Sequence, residues 1–237
     1  MMMLIRRIST ILLLIVILIL SAGTAMTDEP CNTNELQKYL DKIRAYDSFR
    51  MSFTQELQNS TSGQIVHNSG SVVFKKPNEF RWDYQTPPKN ILASDGNIVI
   101  MVLPEDKQAM MEPMDNNSTI WSPLAIFTDF YDWHTEYTVD VIPPREEAYC
   151  HFKLMPKTEN GRFRQVEISF NRFREMPAFS MSIFDAAGNR NYLEFENFES
   201  QPSTGMFIPE IPPDYQITDF SGQPLQRTLT NTQKAGE

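Results

Sequence analysis

The sequence predicts a mainly β fold of the α+β class, in which one antiparallel sheet is covered by a few short helices. Short segments of alternating apolar and polar residues recur along the chain and are separated by Gly, Pro and Asn turn signals. Long helical segments between the strands are absent from the sequence pattern, so a parallel βαβ arrangement is not expected. A sheet with an apolar face needs a cover, and the short helices are the candidates.

The region 72–114 carries the clearest strand signals. Phe80, Trp82 and Tyr84 alternate with Arg81 and Asp83, so their rings are expected on one face of a strand. Pro77 ends the preceding strand. Asp95-Gly96 separates two apolar runs and is a strong hairpin signal, because Gly tolerates the positive φ of such turns.

Other segments repeat this strand pattern. Phe49, Met51 and Phe53 alternate with polar residues, and 71–75 forms the core of the next strand. Further strands are predicted at 135–142, 149–155, 163–170, 179–184 and 192–198, with hairpin turns at Asn160-Gly161 and Gly188-Asn189.

Two helices are predicted. The first runs from Asn32 to Ala45, with Asn32 as its cap and an apolar stripe of Leu36, Leu40 and Ile43. The second begins at 122–127, where Ser122 caps and Pro123 occupies the first helical position.

The N-terminus indicates export. Arg6 and Arg7 precede ten unbroken apolar residues, 11–20, and a small-residue stretch that ends at Ala25. A retained membrane anchor is disfavoured, since the apolar stretch is well short of the roughly 20 residues that span a bilayer. We therefore expect a cleaved signal peptide at 1–25, a folded domain at 26–222, and a flexible tail at 223–237.

Composition excludes several functions. Removal of Arg6 and Arg7 with the signal lowers the formal net charge from −9 to −11, so nucleic-acid binding is not expected. His67, His134 and His151 are isolated, so neither a metal site nor another cofactor is predicted. A nucleophile elbow is also absent from the sequence, and an enzyme is not supported.

Cys31 and Cys150 are the two cysteines of the chain. An oxidising compartment favours a disulfide between them. The sequence cannot place their Cα atoms within bridging distance, so a disulfide and two free thiols both stay open.

The chain resembles the LolA-type lipoprotein carriers of the bacterial periplasm. The resemblance rests on the pattern Lys76-Pro77, Phe80-Arg81-Trp82 and Tyr84, then 94–96 and an apolar strand, then 152–170 and 207–219, in that order. It implies an open half-barrel whose mouth is closed by helices acting as a lid, and a monomer that carries lipoprotein acyl chains.

The resemblance also implies site residues. Lys76 stands where the family has a basic latch that holds the lid, usually an arginine, and lysine lacks the planar fork of that residue. Phe80 aligns with an aromatic at the cavity mouth that docks on a partner. The implied acyl-chain cavity is lined by Phe53, Val73, Trp82, Tyr84, Ile100, Met111, Leu124 and Phe127.

The methionines near the hairpin admit two interpretations. Met101, Met110, Met111 and Met114 could fill an irregular core or line an adaptable cavity. Residue chemistry alone favours core, and the resemblance favours the cavity.

The partners implied by the resemblance are triacylated lipoproteins, an inner-membrane lipoprotein-releasing ABC transporter and an outer-membrane acceptor. The sequence leaves two alternative functions open. The same half-barrel can serve as a lipid-sensing regulator of a membrane signalling partner, and a lipid or glycan hydrolase is a weaker option.

Overall fold

The computed structural model describes residues 30–225, except 115–132, 145, 147, 159–162, 176, 204 and 206. The expected signal peptide, the predicted helix at 122–127 with Leu124 and Phe127, the Asn160-Gly161 turn, and residues 226–237 lie outside these ranges. In the described part, α1 spans Thr33–Arg44 and the short α2 spans Trp133–Glu136. The described strands are β1 (Ser48–Gln58), β2 (Ile65–Lys75), β3 (Glu79–Tyr84), β4 (Ile91–Asp95), β5 (Ile98–Leu103), β6 (Gln108–Pro113), β7 (Tyr137–Ile142), β8 (Tyr149–Pro156), β9 (Gln165–Asn171), β10 (Phe179–Phe184), β11 (Arg190–Ser200) and β12 (Gln216–Thr218).

These strands form one open sheet with the order β12-β6-β5-β4-β3-β2-β1-β11-β10-β9-β8-β7. Strands β1 to β6 form one meander and β7 to β11 another, and pairing between β1 and β11 joins them. The predicted mainly β fold with an antiparallel sheet is confirmed. Strand β12 was not predicted from the sequence. It lies at the edge of the sheet and pairs with β6 in parallel.

The hairpin between β4 and β5 follows from its sequence. Gly96 has φ +88°, a conformation that glycine adopts without a Cβ clash. The Asp95 carboxylate accepts hydrogen bonds from the backbone N–H groups of Asn97 and Ile98. The turn therefore fixes the register in which Ser94 faces Val99.

The sheet has an inner face, defined here as the face on which α1 packs. Alternation in β1 buries Phe49, Met51 and Phe53 on this face, as predicted. The rings of Phe80, Trp82 and Tyr84 in β3 belong to the same apolar cluster. The inner cluster is rich in large rings and extends across the sheet to Val139 of β7.

Helix α1 forms where its local sequence favours it. The Asn32 side chain accepts from the Asn34 backbone N–H at 2.9 Å and caps the first turn. The predicted stripe is buried against the sheet, with Leu36 0%, Leu40 1% and Ile43 3% exposed. Apolar periodicity thus places α1 on the inner face.

A second apolar cluster lies on the opposite, outer face of the sheet. Its buried members are small aliphatic side chains and a methionine: Ala93, Ile100, Val102, Ala109, Met111 and Ile217. The C-terminal segment 207–225 covers them with Ile208, Ile211, Tyr215 and Leu225. This segment is held by β12, by a Lys107–Asp214 ion pair of 2.9 Å, and by a hydrogen bond from Arg81 to the Phe207 carbonyl.

Residues 223–225 belong to this covering segment and extend the folded part beyond the expected boundary at 222. Pro224 forms a bridge with Thr218, and the Leu225 N–H donates to the Ile217 carbonyl at 2.9 Å. In the ranges described, no helix has the length and apolar character needed to cross a membrane.

Candidate functional site

The centre of the inner face is a group of packed aromatic rings. The ring of Trp82 lies 4.8 Å from Phe53 and 5.7 Å from Phe195, in edge-on geometry in both cases. Phe53 also meets Tyr84 at 5.2 Å. Strands β1, β3 and β11 therefore contribute to one apolar surface, which contains Phe53, Trp82 and Tyr84 of the expected cavity set.

Gly70 in β2 permits this packing. A Cβ at Gly70 would lie 2.1 Å from the Asp83 carbonyl oxygen and 2.9 Å from the Phe53 ring. The missing side chain lets the rings of Phe53 and Tyr84 meet across β2. Gly70 is not among the residues predicted from the sequence, although a glycine inside a strand is a signal of close approach.

Helix α1 packs on the inner face beside these rings, over Phe170 of β9 and Phe179 of β10. Tyr39 stacks on Phe170 with a centroid separation of 3.9 Å and meets Phe179 edge-on at 6.2 Å. Burial raises the pKa of the Tyr39 hydroxyl, so the ring remains neutral at ordinary pH. The helix therefore presents an uncharged apolar underside to the sheet.

The N-terminal end of α1 is attached covalently. The structure joins Cys31, which precedes the cap Asn32, to Cys150 of β8, with Cα atoms 5.6 Å apart. Both cysteines lie in the inner cluster. The pairing that the sequence left open is thus a disulfide in this structure, and it ties the start of α1 to β8.

The C-terminal end of α1 is held by Lys76. The Lys76 ammonium donates to the carbonyl oxygen of Arg44, the last helical residue, at 2.5 Å. Carbonyls in the last turn lack helical partners and carry partial negative charge, so a cation is favourable there. Asp47 assists, because its carboxylate lies 3.7 Å from the ammonium and its carbonyl accepts the Lys76 N–H.

Three residues of the expected cavity set lie on the outer face. Val73 sits between the buried Val72 and Phe74 and points to the outer face. Ile100 and Met111 pair with each other in register and belong to the outer cluster under the C-terminal segment. They therefore do not share a face with Phe53, Trp82 and Tyr84 of the same expected set.

The expected role of Phe80 also fails. Its ring is 4% exposed and belongs to the inner cluster, beside Phe74 on β2 and Ser94 on β4. A buried ring cannot serve as an exposed docking anchor in this conformation. Alternation places Phe80 on the same face as Trp82, and its neighbours on other strands bury it there.

The methionines divide between the two faces. Met101 and Met114 pack against the inner cluster, whereas Met111 is in the outer cluster. The sulfur of Met114 lies 3.0 Å from the Ser94 hydroxyl. Met101 and Met114 therefore replace Met111 as inner-face residues.

The inner face opens to solvent at the end formed by the β1–β2 and β10–β11 hairpins. A cavity of about 390 Å³ lies there, with Leu57, Val66 and Ile183 as apolar lining and amide side chains around them. Deeper in, Gln55 donates to Asn191 and accepts from Asn68, both at 3.0 Å. Burial raises the pKa of Tyr84, and its hydrogen bond with Gln55 opposes that rise.

No cluster of three or more His, Cys, Asp or Glu side chains suited to a metal occurs in the described ranges. The described part of the site is an apolar surface with polar side chains around its open end.

The sequence model of the outer membrane lipoprotein carrier protein LolA matches residues 44–209 of this chain. The outer-membrane lipoprotein carrier protein of Sodalis glossinidius is 27% identical over 180 residues, which are 75% of this chain and 84% of that protein. The carrier of Methylibium petroleiphilum is 25% identical over 183 residues, 77% of this chain and 84% of its own.

A solved structure of a LolA superfamily protein from Nitrosomonas europaea is 12% identical and aligns with a TM-score of 0.39, over 71% of this chain and 94% of that one. The match of the family model and the names of the curated relatives favour a carrier over the regulator that the sequence left open. With the family model matching most of its folded part, this chain belongs to the LolA family of outer membrane lipoprotein carrier proteins.

Proposed function

We propose that this protein is a periplasmic carrier that binds the acyl chains of lipoproteins between α1 and the inner face of the sheet. The observation that carries the proposal is that α1 packs on an aromatic surface and is held by a covalent bond at one end and by a hydrogen bond at the other. The disulfide Cys31–Cys150 holds one end and the Lys76 hydrogen bond to Arg44 holds the other.

The apolar surface supplies more affinity than a reversible carrier needs. An acyl chain gains roughly 0.8 kcal/mol per buried methylene, so two or three chains of about 16 carbons gain on the order of 30 kcal/mol gross. Opening of the helix subtracts from this gain, because contacts such as Tyr39 on Phe170 must be lost. The cover thus lowers net affinity to a value that permits release.

The difference in strength between the disulfide and the hydrogen bond defines how α1 moves. A disulfide persists while a hydrogen bond to a half-exposed ammonium exchanges with water, so α1 pivots about Cys31 and separates first at Arg44. Lys76 is then the latch, and its loss makes the open state less costly. A less costly open state means tighter binding and slower delivery.

The test compares two neighbouring lysines. Lys75 bonds the Glu79 carboxylate at 2.8 Å rather than the helix, so Lys75→Met is the matched control for Lys76→Met. Each protein is loaded with a radiolabelled triacylated lipoprotein, and its delivery to outer-membrane vesicles is timed. We expect Lys76→Met to retain cargo and deliver it more slowly, with Lys75→Met like the wild type.

Failure of the wild-type protein to bind any acylated cargo would remove the carrier proposal. Equal delivery rates for the two lysine variants would remove the latch role of Lys76 and leave the carrier proposal in place. Mass spectrometry of lipid extracted from the periplasmic protein identifies the cargo independently.

The family role implies a periplasmic location. We further propose that residues 1–25 are removed as a signal peptide, that the protein works as a monomer without catalysis, and that an inner-membrane ABC transporter and an outer-membrane acceptor are its partners. N-terminal sequencing of the periplasmic protein tests the cleavage.

A further inference from the structure

We propose that the indole N–H of Trp82 donates a hydrogen bond to an ester carbonyl of the bound lipid and thereby fixes the depth of the acyl chains. This inference rests on the proposed carrier function. It assigns to Trp82 a polar binding role in addition to its apolar surface.

The geometry of Trp82 points to this role. The side chain is 1% exposed and lies at the centre of the inner face between Phe53 and Phe195. In the described part of the chain, its Nε1 atom is buried and has no hydrogen-bond partner. Its register neighbours, Val72 on β2 and Leu92 on β4, are aliphatic and offer no side-chain acceptor.

An unpaired buried donor is costly, at about 1–3 kcal/mol, and most buried polar groups avoid it. In the described ranges, the Tyr39 hydroxyl of α1 is likewise buried without a hydrogen-bond partner, whereas two polar side chains that the sheet itself buries on this face are satisfied. Gln55 bonds Asn68 and Asn191, and the Ser94 hydroxyl accepts from the Gly96 N–H. Phenylalanine would supply the same apolar contact without an unpaired N–H, so the indole donor indicates an acceptor that arrives with the ligand.

The ligand chemistry follows from the donor and its surroundings. An N–H in an apolar surface selects an uncharged acceptor attached to hydrocarbon, because desolvation of a charged group there would be too costly. The ester carbonyl at the head of an acyl chain is such an acceptor. A few well-placed polar groups in an apolar site fix orientation, and one donor here would set where the chain that carries the bonded ester begins.

The experiment combines a change in the ligand with a change in the protein. The first probe is a short peptide whose N-terminal cysteine carries an S-glyceryl group with two palmitoyl esters. The second is the same peptide with two hexadecyl ethers in place of the esters. Affinities of the wild type and of Trp82→Phe for each probe are measured by calorimetry.

We expect the wild type to prefer the ester over the ether probe about 5- to 10-fold, the value of a typical hydrogen bond. In Trp82→Phe this preference should fall to within about twofold, whatever loss of affinity the two probes share through the smaller ring. An equal ester preference in both proteins overturns the inference and leaves the carrier function standing. Absence of binding of either probe to the wild type overturns both.

A second measurement does not depend on the folding of Trp82→Phe. Trp121→Phe and Trp133→Phe together leave Trp82 as the remaining tryptophan of the sequence. Its ¹⁵N-labelled indole N–H resonance should move downfield with the ester probe and much less with the ether probe. Identical shifts with the two probes overturn the inference.

Discussion

The two faces of the sheet bury apolar side chains under covers of different kinds. On the outer face, small aliphatic side chains lie under segment 207–225, which adds a strand to the sheet edge and forms an ion pair with it. On the inner face, large aromatic rings lie under α1, which makes no strand pairing and is attached at its ends.

We propose that the outer face serves stability and that the inner face serves binding. A cover that continues the hydrogen-bond ladder of the sheet can leave only with loss of backbone pairing, so the outer cluster is a permanent core. A helix satisfies its own backbone and can move away as a unit. We therefore infer that the inner face is covered by α1 in the empty protein and by acyl chains in the loaded protein.

The largest expected effect breaks the inner face itself. Phe80→Glu buries a carboxylate without a partner among large rings, and should cost about 4 kcal/mol or more, with loss of cooperative folding. Urea denaturation and near-UV circular dichroism measure this. Phe173→Glu is the matched control, because Phe173 is 64% exposed and its change should stay within about 0.5 kcal/mol.

A Phe80→Glu protein that unfolds cooperatively near the wild-type midpoint would contradict the buried position and restore a surface role for this ring.

A matched pair of truncations distinguishes the two faces. Met51 on the inner face is 1% exposed and Ile100 on the outer face 0%, so replacement of either by alanine should cost about 2–5 kcal/mol of stability. Cargo affinity should change for Met51→Ala and remain at the wild-type value for Ile100→Ala. Calorimetry with an acylated peptide at a temperature where both variants are folded makes the comparison.

Equal effects of Met51→Ala and Ile100→Ala on affinity would mean that the outer cluster also contributes to binding, and the division between the faces would not hold.

The covalent attachment of α1 to β8 can be removed by replacing both cysteines. Cys31→Ala with Cys150→Ala opens a link across 119 residues of sequence and should lower stability by about 2–4 kcal/mol. Hydrogen exchange in α1 should rise more than in β12, because the disulfide holds the helix. Dithiothreitol serves as the control: it should reproduce the effect in the wild type and change nothing in the double variant.

The smallest effect is a pH dependence from the contact of α1 with the sheet. Burial raises the folded-state pKa of Tyr39 above its ordinary value of 10.0, so the unfolded chain loses this proton first as pH rises. Stability should therefore fall above pH 10, by about 1.4 kcal/mol at pH 11 for this group. Tyr39→Phe should lack this part of the decline in urea titrations at several pH values.

Local patterns alone established the elements of the fold. The cap Asn32 and the stripe of α1 fixed a helix, and Asp95-Gly96 fixed a hairpin, because these signals act between residues close in the chain. The face of the β3 rings was also predictable, since Arg81 and Asp83 alternate with them. The ordered motifs gave the family, which the comparison with LolA confirms.

Face assignment failed where alternation is absent from the sequence. Val72-Val73, Met110-Met111 and the run around Ile100 are apolar at adjacent positions, although burial alternates in β2 and β6 and only β5 of these strands buries adjacent residues. Each neighbour is then an equally good candidate, and register with distant strands decides. The burial of Phe80 likewise depends on Phe74 and on the cover, which its own alternation does not reveal.

Tertiary structure alone decided how the two ends of α1 and the edge of the sheet are held. The pairing of Cys31 with Cys150, the bond from Lys76 to the end of α1, and the parallel strand β12 join residues far apart in sequence. Local propensity carries no information on such contacts, because they form only when the assembled sheet brings their partners together. The sequence thus determined the strands, the helix and the family, and the assembled sheet determined which side chains each face buries and what holds the cover over each face.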